Sequence, residues 1–560
     1  MRGDFAKKSN CSHIFQLFPK ATMVIRRVFP LVCLVAITTN AFVVPLTNNK
    51  KLTNLFDSAT NGANGEGSTN NRVNADSKNQ NDDGDGDDDE LWHVAKIDRL
   101  KKRKIYPNPL SLKPNIPIAW FISEDAAIAA KVQISSQNSF KNNDVAFVQA
   151  GPRLNIHFNP QCCKAAIVTC GGLCPGLNTV IRELVMCLHR QYGIEETFGI
   201  PSGYRGFQDP SKWRQLTPQS VANLHNIGGT TLGSSRGGHD TQKIVDALEQ
   251  QNVNLLFVIG GDGTVRGASK IADEIKSRGL EIAVAVVPKT IDNDVPIIDR
   301  TFGFETAVDA ARDAIDVAAV EAEGFPLGLG VVKVMGRNSG FIAMHSTLGS
   351  RVVDLCLVPE VDFYLDGPGG IVDHLAERLM ENDKAIVVIA EGAGQELMAE
   401  MGASGSEVKD ASGNILLEDV GPWLVRELKS RLNEKLKDFS DDGITAKYVD
   451  PSYMVRGVPP NTSDNLFCTQ LAHNAVHGAM AGLTSFLVGS VNTRECYLPI
   501  SLVANKQNVI DTAHQSLWEY VVFDTQQPSF AIQEDCRKES DIITTASGGV
   551  INGLDEPCPI

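Results

Sequence analysis

From Ala165 onward, short runs of apolar residues alternate with longer segments of helical periodicity. Near-continuous apolar strands that alternate with helices predict parallel sheets covered by helices on both faces. Ligands of such sheets collect at the carboxyl ends of the strands, where the polar residues of this sequence also cluster. The predicted strands are Ala165–Cys170, Leu255–Ile259, Ile282–Val287, Leu329–Val334, Leu355–Val358 and Ala385–Ala390.

The first ninety residues lack this alternation. A start at Met23, rather than at Met1, gives two arginines, an apolar run from Val28 to Ile37 and the junction Ala41-Phe42. These are the parts of a signal peptide, and the run is too short to span a bilayer, which needs about 20 residues. The junction resembles the cleavage motif of bipartite plastid-targeting sequences in algae with complex plastids. We therefore expect residues 1–56 to direct the protein to the plastid stroma, without membrane attachment in the mature form; secretion and a cytoplasmic location are the alternatives.

Residues 57–90 consist largely of Asn, Gly, Ser and Asp, a composition that predicts a disordered linker. The chain has a net charge of −15, and no basic tract balances the acids of this linker. This distribution argues against nucleic acid as a partner. Twelve cysteines among 560 residues predict reduced thiols rather than a disulfide scaffold.

Two glycine-rich loops are candidates for phosphate binding. Gly171 and Gly172 follow the first predicted strand and precede a helix predicted at Thr179–His189. Consecutive glycines let a backbone approach a phosphate closely, and a helix N-terminus favours negative charge. Arg236 lies among the glycines and serines of residues 228–238, where an arginine can contact a phosphate through two bonds. Taken singly, a tight turn and a solvated arginine are the more common interpretations.

A third loop carries an acid between glycines. The strand Leu255–Ile259 leads into Gly260-Gly261-Asp262-Gly263-Thr264, and a helix is expected to begin near Arg266. This arrangement leaves room for a metal–triphosphate unit against the backbone, with Asp262 holding Mg²⁺ through water. The alternative is that Asp262 caps the following helix.

The fourth loop, Pro288-Lys289-Thr290-Ile291-Asp292-Asn293-Asp294, carries two carboxylates at a strand end. Phosphoryl transfer to an alcohol needs a carboxylate that orients and deprotonates the hydroxyl, and cations that hold the transferred group. In isolation, the same residues would be typical of a polar turn.

The ordered set of motifs resembles the phosphofructokinase family, in particular its plant- and protist-type ATP-dependent branch. The resemblance covers roughly residues 95–510. It implies an α/β fold of two similar three-layer α/β/α domains with mostly parallel sheets, and an active site in the cleft between them at strand carboxyl ends. It also implies phosphoryl transfer from ATP to the C1 hydroxyl of fructose 6-phosphate. The blocks are Gly-Gly-Leu-Cys-Pro-Gly-Leu-Asn (171–178), Gly-Gly-Asp-Gly-Thr (260–264), Pro-Lys-Thr-Ile-Asp-Asn-Asp (288–294), Met335-Gly336-Arg337, Ala390-Glu391-Gly392 and Tyr453-Met454-Val455-Arg456.

The resemblance implies a role for each motif residue. Asp292 would be the base, ionised at neutral pH and acting mainly by orientation, with Thr290 and Arg337 as further catalytic residues. The donor would contact Gly172, Arg236, Gly237, Gly261, Asp262, Gly263 and Thr264, with Asp262 binding Mg²⁺. The sugar phosphate would contact Thr290, Ile291, Asp292, Met335, Gly336, Arg337, Glu391, Lys447, Tyr453, Met454, Val455 and Arg456.

Two positions depart from the bacterial members of the family. Gly237 stands where they carry an aromatic residue against the adenine, so we expect a different adenine pocket. Gly328 stands where they place a phosphate-binding arginine of the neighbouring subunit, so Lys447 or another cation is expected to compensate. Because a neighbour supplies part of the 6-phosphate site in this family, the resemblance implies a homo-oligomer, a dimer or a tetramer.

Two residues bear on the phosphoryl donor. The pair Gly263 and Lys289 is typical of plant-type ATP enzymes, since a carboxylate at position 263 would repel the α-phosphate of a nucleotide. ATP is therefore predicted as donor, and pyrophosphate is the alternative. An NAD or lipid kinase would share the Asp262 loop only. A catalytically silent regulatory subunit would be expected to lack Asp262, Asp292 or Arg337, and all three are present.

The predicted division of the chain follows from these assignments. After the targeting sequence and the linker come an N-terminal extension (91–160) and a donor domain (161–305, completed by about 455–510). A sugar-phosphate domain (306–454) and a C-terminal segment (511–560) make up the remainder.

Overall fold

The computed structural model describes residues 93–101, 105–130, 145–403, 416–504, 506–513 and 517–530. The chain divides into residues 1–86, none of which is among the described residues, and a unit of residues 87–560. The predicted targeting sequence (1–56) and linker (57–90) therefore lie outside the described residues.

The strands of the described ranges are β1 (His93–Val94), β2 (Asp98–Arg99), β3 (Tyr106–Pro107), β4 (Ala127–Ala129), β5 (Val145–Gln149), β6 (Asn155–Ile156), β7 (Lys164–Thr169), β8 (Glu196–Ile200), β9 (Arg214–Gln215), β10 (Leu255–Gly260), β11 (Ala283–Pro288), β12 (Gly328–Val334), β13 (Leu355–Leu357), β14 (Lys384–Ala390), β15 (Thr445–Val449), β16 (Leu483–Thr484), β17 (Phe486–Val491) and β18 (Arg494–Pro499).

The α-helices of the same ranges are α1 (Leu177–Met186), α2 (Pro218–Val221), α3 (Thr241–Gln250), α4 (Asp262–Ser277), α5 (Phe304–Glu323), α6 (Phe341–Ser350), α7 (Ile371–Asn382), α8 (Gln395–Glu400), α9 (Val420–Lys435), α10 (Met454–Gly457), α11 (Thr462–Met480), α12 (Ile500–Val503) and α13 (Leu517–Thr525). None of these helices is long and apolar enough to cross a membrane.

The strands form two main sheets. The larger has ten strands in the order β1-β5-β18-β17-β11-β10-β7-β8-β9, with β4 beside β5, and its central strands β17, β11, β10, β7 and β8 are parallel. The smaller has four parallel strands in the order β13-β14-β12-β15. The predicted α/β class with mostly parallel sheets is confirmed, although the two sheets differ in size.

Both sheets are covered by helices on both faces, which explains why their strands are apolar throughout. On β10, Phe257 faces a central cluster of buried residues, and Val258 faces an outer cluster with α3 and α4. On β12, Val332 faces the same central cluster, and Val331 faces an outer cluster with α7 and α9. The central cluster contains residues of α1, α5, α6 and α11 and thereby joins the two helix–sheet–helix layers into one core.

All six predicted strands are confirmed to within one residue at each end. The helix predicted at Thr179–His189 is α1, continued by a π-helical turn over Cys187–Tyr192. The prediction that a helix begins near Arg266 was wrong, because α4 begins at Asp262. The flanking glycines indicate a loop, but Thr264 and Val265 already donate to the Gly261 carbonyl at 2.8 and 2.9 Å.

The segments outside the two predicted domains contribute to the same body. Within the N-terminal extension, β1, β4 and β5 join the larger sheet. After α13, Gln527 forms two hydrogen bonds with the backbone of Cys356 on β13, at 2.8 and 3.1 Å. The domain boundaries themselves stay predictions.

Candidate active site

A cleft of about 410 Å³ opens at the carboxyl ends of β7, β10 and β11 on one side and of β12 and β14 on the other. Because these strands are parallel neighbours within their sheets, the loops that follow them converge at the cleft. The predicted site residues that line it are Gly172, Arg236, Gly237, Gly261, Asp262, Gly263, Thr264, Lys289, Thr290, Ile291, Asp292, Met335, Arg337, Glu391 and Arg456.

The first turn of α4 forms one wall of the cleft. Its N-cap is Gly261, whose backbone is extended, and Asp262 is the first residue of the helix. No side chain caps this end, so the alternative that Asp262 is the cap is wrong. The free N–H groups at a helix start favour an anionic ligand. The turn packs tightly on β10, since a Cβ at Gly260 would lie 2.5 Å from the Cβ of Thr264.

The carboxyl group of Asp262 is presented to the cleft from this turn. Burial raises its pKa, while Arg266 and a hydrogen bond with the Gln507 side chain act in the opposite direction. Among the described residues, no three His, Cys, Asp or Glu side chains are grouped so that they could hold a metal ion. Mg²⁺ is commonly bound through one or two carboxylates together with water and substrate phosphates, so the Asp262 carboxylate can serve as the protein's contribution to such a site.

Asp292 is a partly buried residue of the fourth loop that lines the cleft. Its backbone N–H donates to Thr290 Oγ1 at 3.1 Å, and its Oδ1 is buried without a hydrogen-bond partner. Burial raises the pKa of Asp292 to about 8, the carboxylates of Asp294 and Glu391 add to this, and Lys289 and Arg337 oppose it. Desolvation and the neighbouring carboxylates thus favour the protonated form of Asp292, while Lys289 and Arg337 favour the ionised form in which it can act as a base.

The opposite wall comes from the loops after β12 and β14. Gly336 has a φ of +137°, and a Cβ there would lie 2.4 Å from the Ser339 carbonyl oxygen, so the turn requires glycine. Its carbonyl accepts from Gly392 at 3.0 Å, which holds the two loops together. Ser339 Oγ also donates to the Asp292 carbonyl at 3.2 Å, which ties this wall to the fourth loop. Burial raises the pKa of Glu391, although Arg337 lies close enough to lower it.

Five of the predicted sugar-phosphate contacts do not line the cleft: Gly336, Lys447, Tyr453, Met454 and Val455. Lys447 pairs with Gly330 at the middle of β15, the edge strand of the small sheet, and its Nζ lies 4.0 Å from the ring centroid of Phe325. Tyr453 is 83% exposed, whereas Val455 is fully buried in the central core. The single turn of α10 points successive side chains in different directions, so it presents only Arg456 to the cleft.

Several lining residues were missed, among them Tyr204, His239, Asn338 and Gln507. Tyr204 donates to the Thr264 carbonyl at 2.9 Å, and its ring meets that of His239 edge to face at 4.9 Å. These two rings line the same cleft as Gly237, the position at which the sequence lacks the aromatic residue expected against the adenine. Tyr204 follows β8, a strand that was not predicted but whose carboxyl end would have indicated this residue, whereas no local pattern in the sequence indicated Gln507.

The comparisons with known proteins agree with this geometry. The family model described as Phosphofructokinase matches residues 164–479. The chain is similar to "ATP-dependent 6-phosphofructokinase 1" of Arabidopsis thaliana, with 47% identity over 77% of this chain and 89% of the relative. It is 48% identical to "ATP-dependent 6-phosphofructokinase 4, chloroplastic" of the same plant, over 77% of this chain and 79% of the relative. The "ATP-dependent 6-phosphofructokinase" of Borreliella burgdorferi is 43% identical over 73% of this chain and 91% of the relative.

A solved structure, the pyrophosphate-dependent phosphofructokinase from Marinobacter aquaeolei, has a TM-score of 0.53 at 18% identity and covers 66% of this chain and 92% of its own. At this identity the similarity concerns the fold alone. Together with the family match and the relatives, it leads to one conclusion: the chain belongs to the phosphofructokinase family.

Proposed function

We propose that this protein is an ATP-dependent 6-phosphofructokinase. It transfers the terminal phosphoryl group of ATP to the C1 hydroxyl of fructose 6-phosphate and yields fructose 1,6-bisphosphate and ADP, a committed step of glycolysis. The observation that carries the proposal is the convergence of Asp262, Asp292 and Arg337 in one cleft. The three relatives named above, all called ATP-dependent, support the choice of donor.

The donor occupies the wall formed by α4, Gly172 and Arg236. The positive end of α4 attracts its phosphates, and the space at Gly263 lets a nucleotide pass. A Cβ at Gly263 would find Arg266 Nη2 at 3.9 Å as its nearest neighbour, so nothing crowds this position. Pyrophosphate remains the second candidate donor, because the buried Lys289 can also accompany a compact anion.

Mg²⁺ fits the oxygen of Asp262 and, when bound, offsets the negative charge of the donor phosphates. The protein's own groups orient the acceptor: Met335, Arg337 and Glu391 position the sugar, and Arg456 contacts the 6-phosphate. Asp292 takes the proton of the C1 hydroxyl through its unpartnered oxygen as the new O–P bond forms and the bond to ADP breaks.

The sugar-phosphate half of the site is completed by a second copy of the chain. Lys447, Phe325 and the exposed Val317 and Val320 lie around the end of α5, and the two valines are 60% and 72% exposed. An apolar patch with a cation beside it fits an interface between copies, in which Lys447 reaches the phosphate bound by its neighbour. The protein is accordingly a homo-oligomer.

The protein acts in the plastid stroma. The relative named "ATP-dependent 6-phosphofructokinase 4, chloroplastic" supports this location, together with the signal-like residues after Met23. A fusion of residues 23–60 to a fluorescent reporter should enter the plastid of an alga with complex plastids. Reporter that stays cytosolic would favour the cytoplasmic alternative.

The test of the proposed activity is a coupled assay of the purified full chain with fructose 6-phosphate, in which ATP and pyrophosphate are compared at equal Mg²⁺. Turnover with ATP and none with pyrophosphate is expected. Turnover with pyrophosphate alone would establish the second candidate, and no turnover with either donor would indicate a catalytically silent regulatory subunit.

A further inference from the structure

We propose that Glu360 is a positioning residue that connects two loops of the cleft. These are the sugar loop, residues 335–340 after β12, and the donor loop, residues 260–264 at the end of β10. The inference rests on the proposed function for its kinetic consequence, but not for its geometry. Glu360 follows β13 and does not line the cleft, so it acts through other residues.

One end of the connection is the loop that carries Arg337. Gly340 closes this loop just before α6, and its N–H donates to both carboxylate oxygens of Glu360, at 3.0 and 3.1 Å. A Cβ at Gly340 would lie 2.3 Å from Val358 Cγ1, so only glycine permits this approach. The carboxylate of Glu360 thus defines where the sugar loop ends.

The other end is the segment 506–510. Ile510 N–H donates to Glu360 Oε1 at 2.9 Å. Two residues earlier, Asn508 N–H donates to the Asp294 carbonyl at 2.7 Å. Gln507 lines the cleft, and its side chain forms a hydrogen bond with Asp262. Segment 506–510 therefore contacts the loops that carry Asp262 and Asp294 at the larger sheet. Its hydrogen bond with Glu360 links it to the smaller sheet.

A single carboxylate that accepts from the sugar loop and from segment 506–510, which in turn contacts the donor wall, holds the two walls in register. Hydrogen bonds to an ionised acceptor are stronger than neutral ones, and an error of 1 Å in the position of reacting groups can lower a rate by about 100-fold. Loss of this carboxylate should therefore impair turnover and the binding of both substrates, while the core stays intact.

The experiment compares Glu360→Gln with Asp354→Asn in the full chain. Asp354 is a matched control, because it is a half-buried carboxylate at the other end of β13 and accepts from Ile386 N–H at 2.8 Å, away from segment 506–510. Glu360→Gln should lower kcat about tenfold or more and raise both KM values, with a change in Tm no larger than that of Asp354→Asn. Kinetics within twofold of wild type, or an equal loss in the control, would overturn the proposal.

Hydrogen exchange provides a readout that does not depend on activity. In Glu360→Gln, exchange should rise together in peptides covering 335–340 and 506–510, and it should stay at the wild-type rate there in Asp354→Asn. A rise in neither peptide, or in only one, would contradict the connection. Wild-type protein without turnover would contradict the proposed function alone, since the exchange result would still decide the role of Glu360.

A double-mutant cycle tests whether Glu360 affects the donor loop through Gln507. If Glu360 acts on the donor loop by holding Gln507, then Gln507→Ala should cost less in the Glu360→Gln background than in wild type. Fully additive losses would show that the two residues act independently and would overturn that part of the proposal.

Discussion

The two walls of the cleft differ in composition: one presents mainly backbone, and the other presents mainly side chains. The donor wall consists mainly of backbone, namely the first turn of α4 and the loop at Gly171 and Gly172, and it is closed by Gln507 of the same chain. The opposite wall relies on long side chains, those of Arg337, Glu391 and Arg456. Five further predicted contacts, among them Lys447 and Tyr453, do not line the cleft.

This difference predicts how each wall responds to change. A backbone wall is sensitive to groups that are added, because a large or charged side chain placed there enters the space of the donor. A side-chain wall is sensitive to charges that are removed, and its outward residues make it depend on a second chain. Asp292 lies between the two walls. Its loss should lower the rate of the chemical step more than it weakens the binding of either substrate.

The largest effect is expected at this junction. Asp292→Asn keeps the shape of the side chain but removes the base, so kcat should fall by about 10²–10⁴-fold with KM values nearly unchanged. Steady-state kinetics with saturating ATP and fructose 6-phosphate measure this. A variant with more than half of the wild-type turnover would remove Asp292 from the role of base.

The donor wall should reject an added carboxylate. Two unit charges 4 Å apart interact by roughly 4 kcal/mol at an effective dielectric of 20, so Gly263→Asp should raise the KM for ATP by about 10²–10³-fold. The KM for fructose 6-phosphate should change little. Gly263→Ala is the control, because a Cβ there meets only Arg266 Nη2 at 3.9 Å. Equal KM values for ATP in the two variants would show that charge at this position is not decisive.

On the same wall, Asp262→Ala removes a charge that the proposal places beside Mg²⁺. An outer partner of a metal typically contributes about 10–100-fold to its affinity, and the Mg²⁺ concentration for half-maximal activity should rise by that factor. Titration with Mg²⁺ at fixed ATP measures the shift. An unchanged Mg²⁺ requirement would mean that Asp262 has another function.

On the side-chain wall, removal of the outward cation should weaken sugar binding. Lys447→Ala should raise the KM for fructose 6-phosphate about tenfold, as for the loss of one charged hydrogen bond, and leave the KM for ATP unchanged. Lys384→Ala is the control, since Lys384 lies on β14, on the other side of β12 from Lys447, and pairs with Glu323 at 2.9 Å. Hybrid oligomers of Lys447→Ala and Asp292→Asn should recover sites with normal sugar affinity; no recovery would argue against a site shared between chains.

The last prediction concerns stability rather than activity. An Asp whose pKa is raised from 3.8 to about 8 in the folded protein destabilises the fold at pH values above 3.8, increasingly up to pH 8. Asp292→Asn should therefore have a higher Tm than wild type at pH 8, with the difference shrinking toward zero near pH 4. Thermal melts across this range measure it. A constant difference at all pH values would mean that the ionisation of Asp292 is not its cause.

The sequence by itself determined the α/β class, the six strands and the loops that follow them. Local rules suffice there, because strands covered on both faces must be apolar, and glycines and acids at their ends interrupt that pattern. The ordered motifs likewise placed Asp262, Asp292 and Arg337 at strand ends, where the structure brings them together. Register within a parallel sheet then determines which loops become neighbours.

Only the tertiary structure decided the rest, because it depends on contacts between distant parts of the chain. The start of α4 at Asp262 follows from hydrogen bonds to Gly261 that a glycine-rich motif does not reveal. The raised pKa of Asp292 results from burial, from Asp294 and from Glu391, the last of which lies 99 residues further along the chain. The entry of Gln507 into the donor wall, and the position of Lys447 beside Phe325 rather than in the cleft, likewise result from packing that no local pattern records.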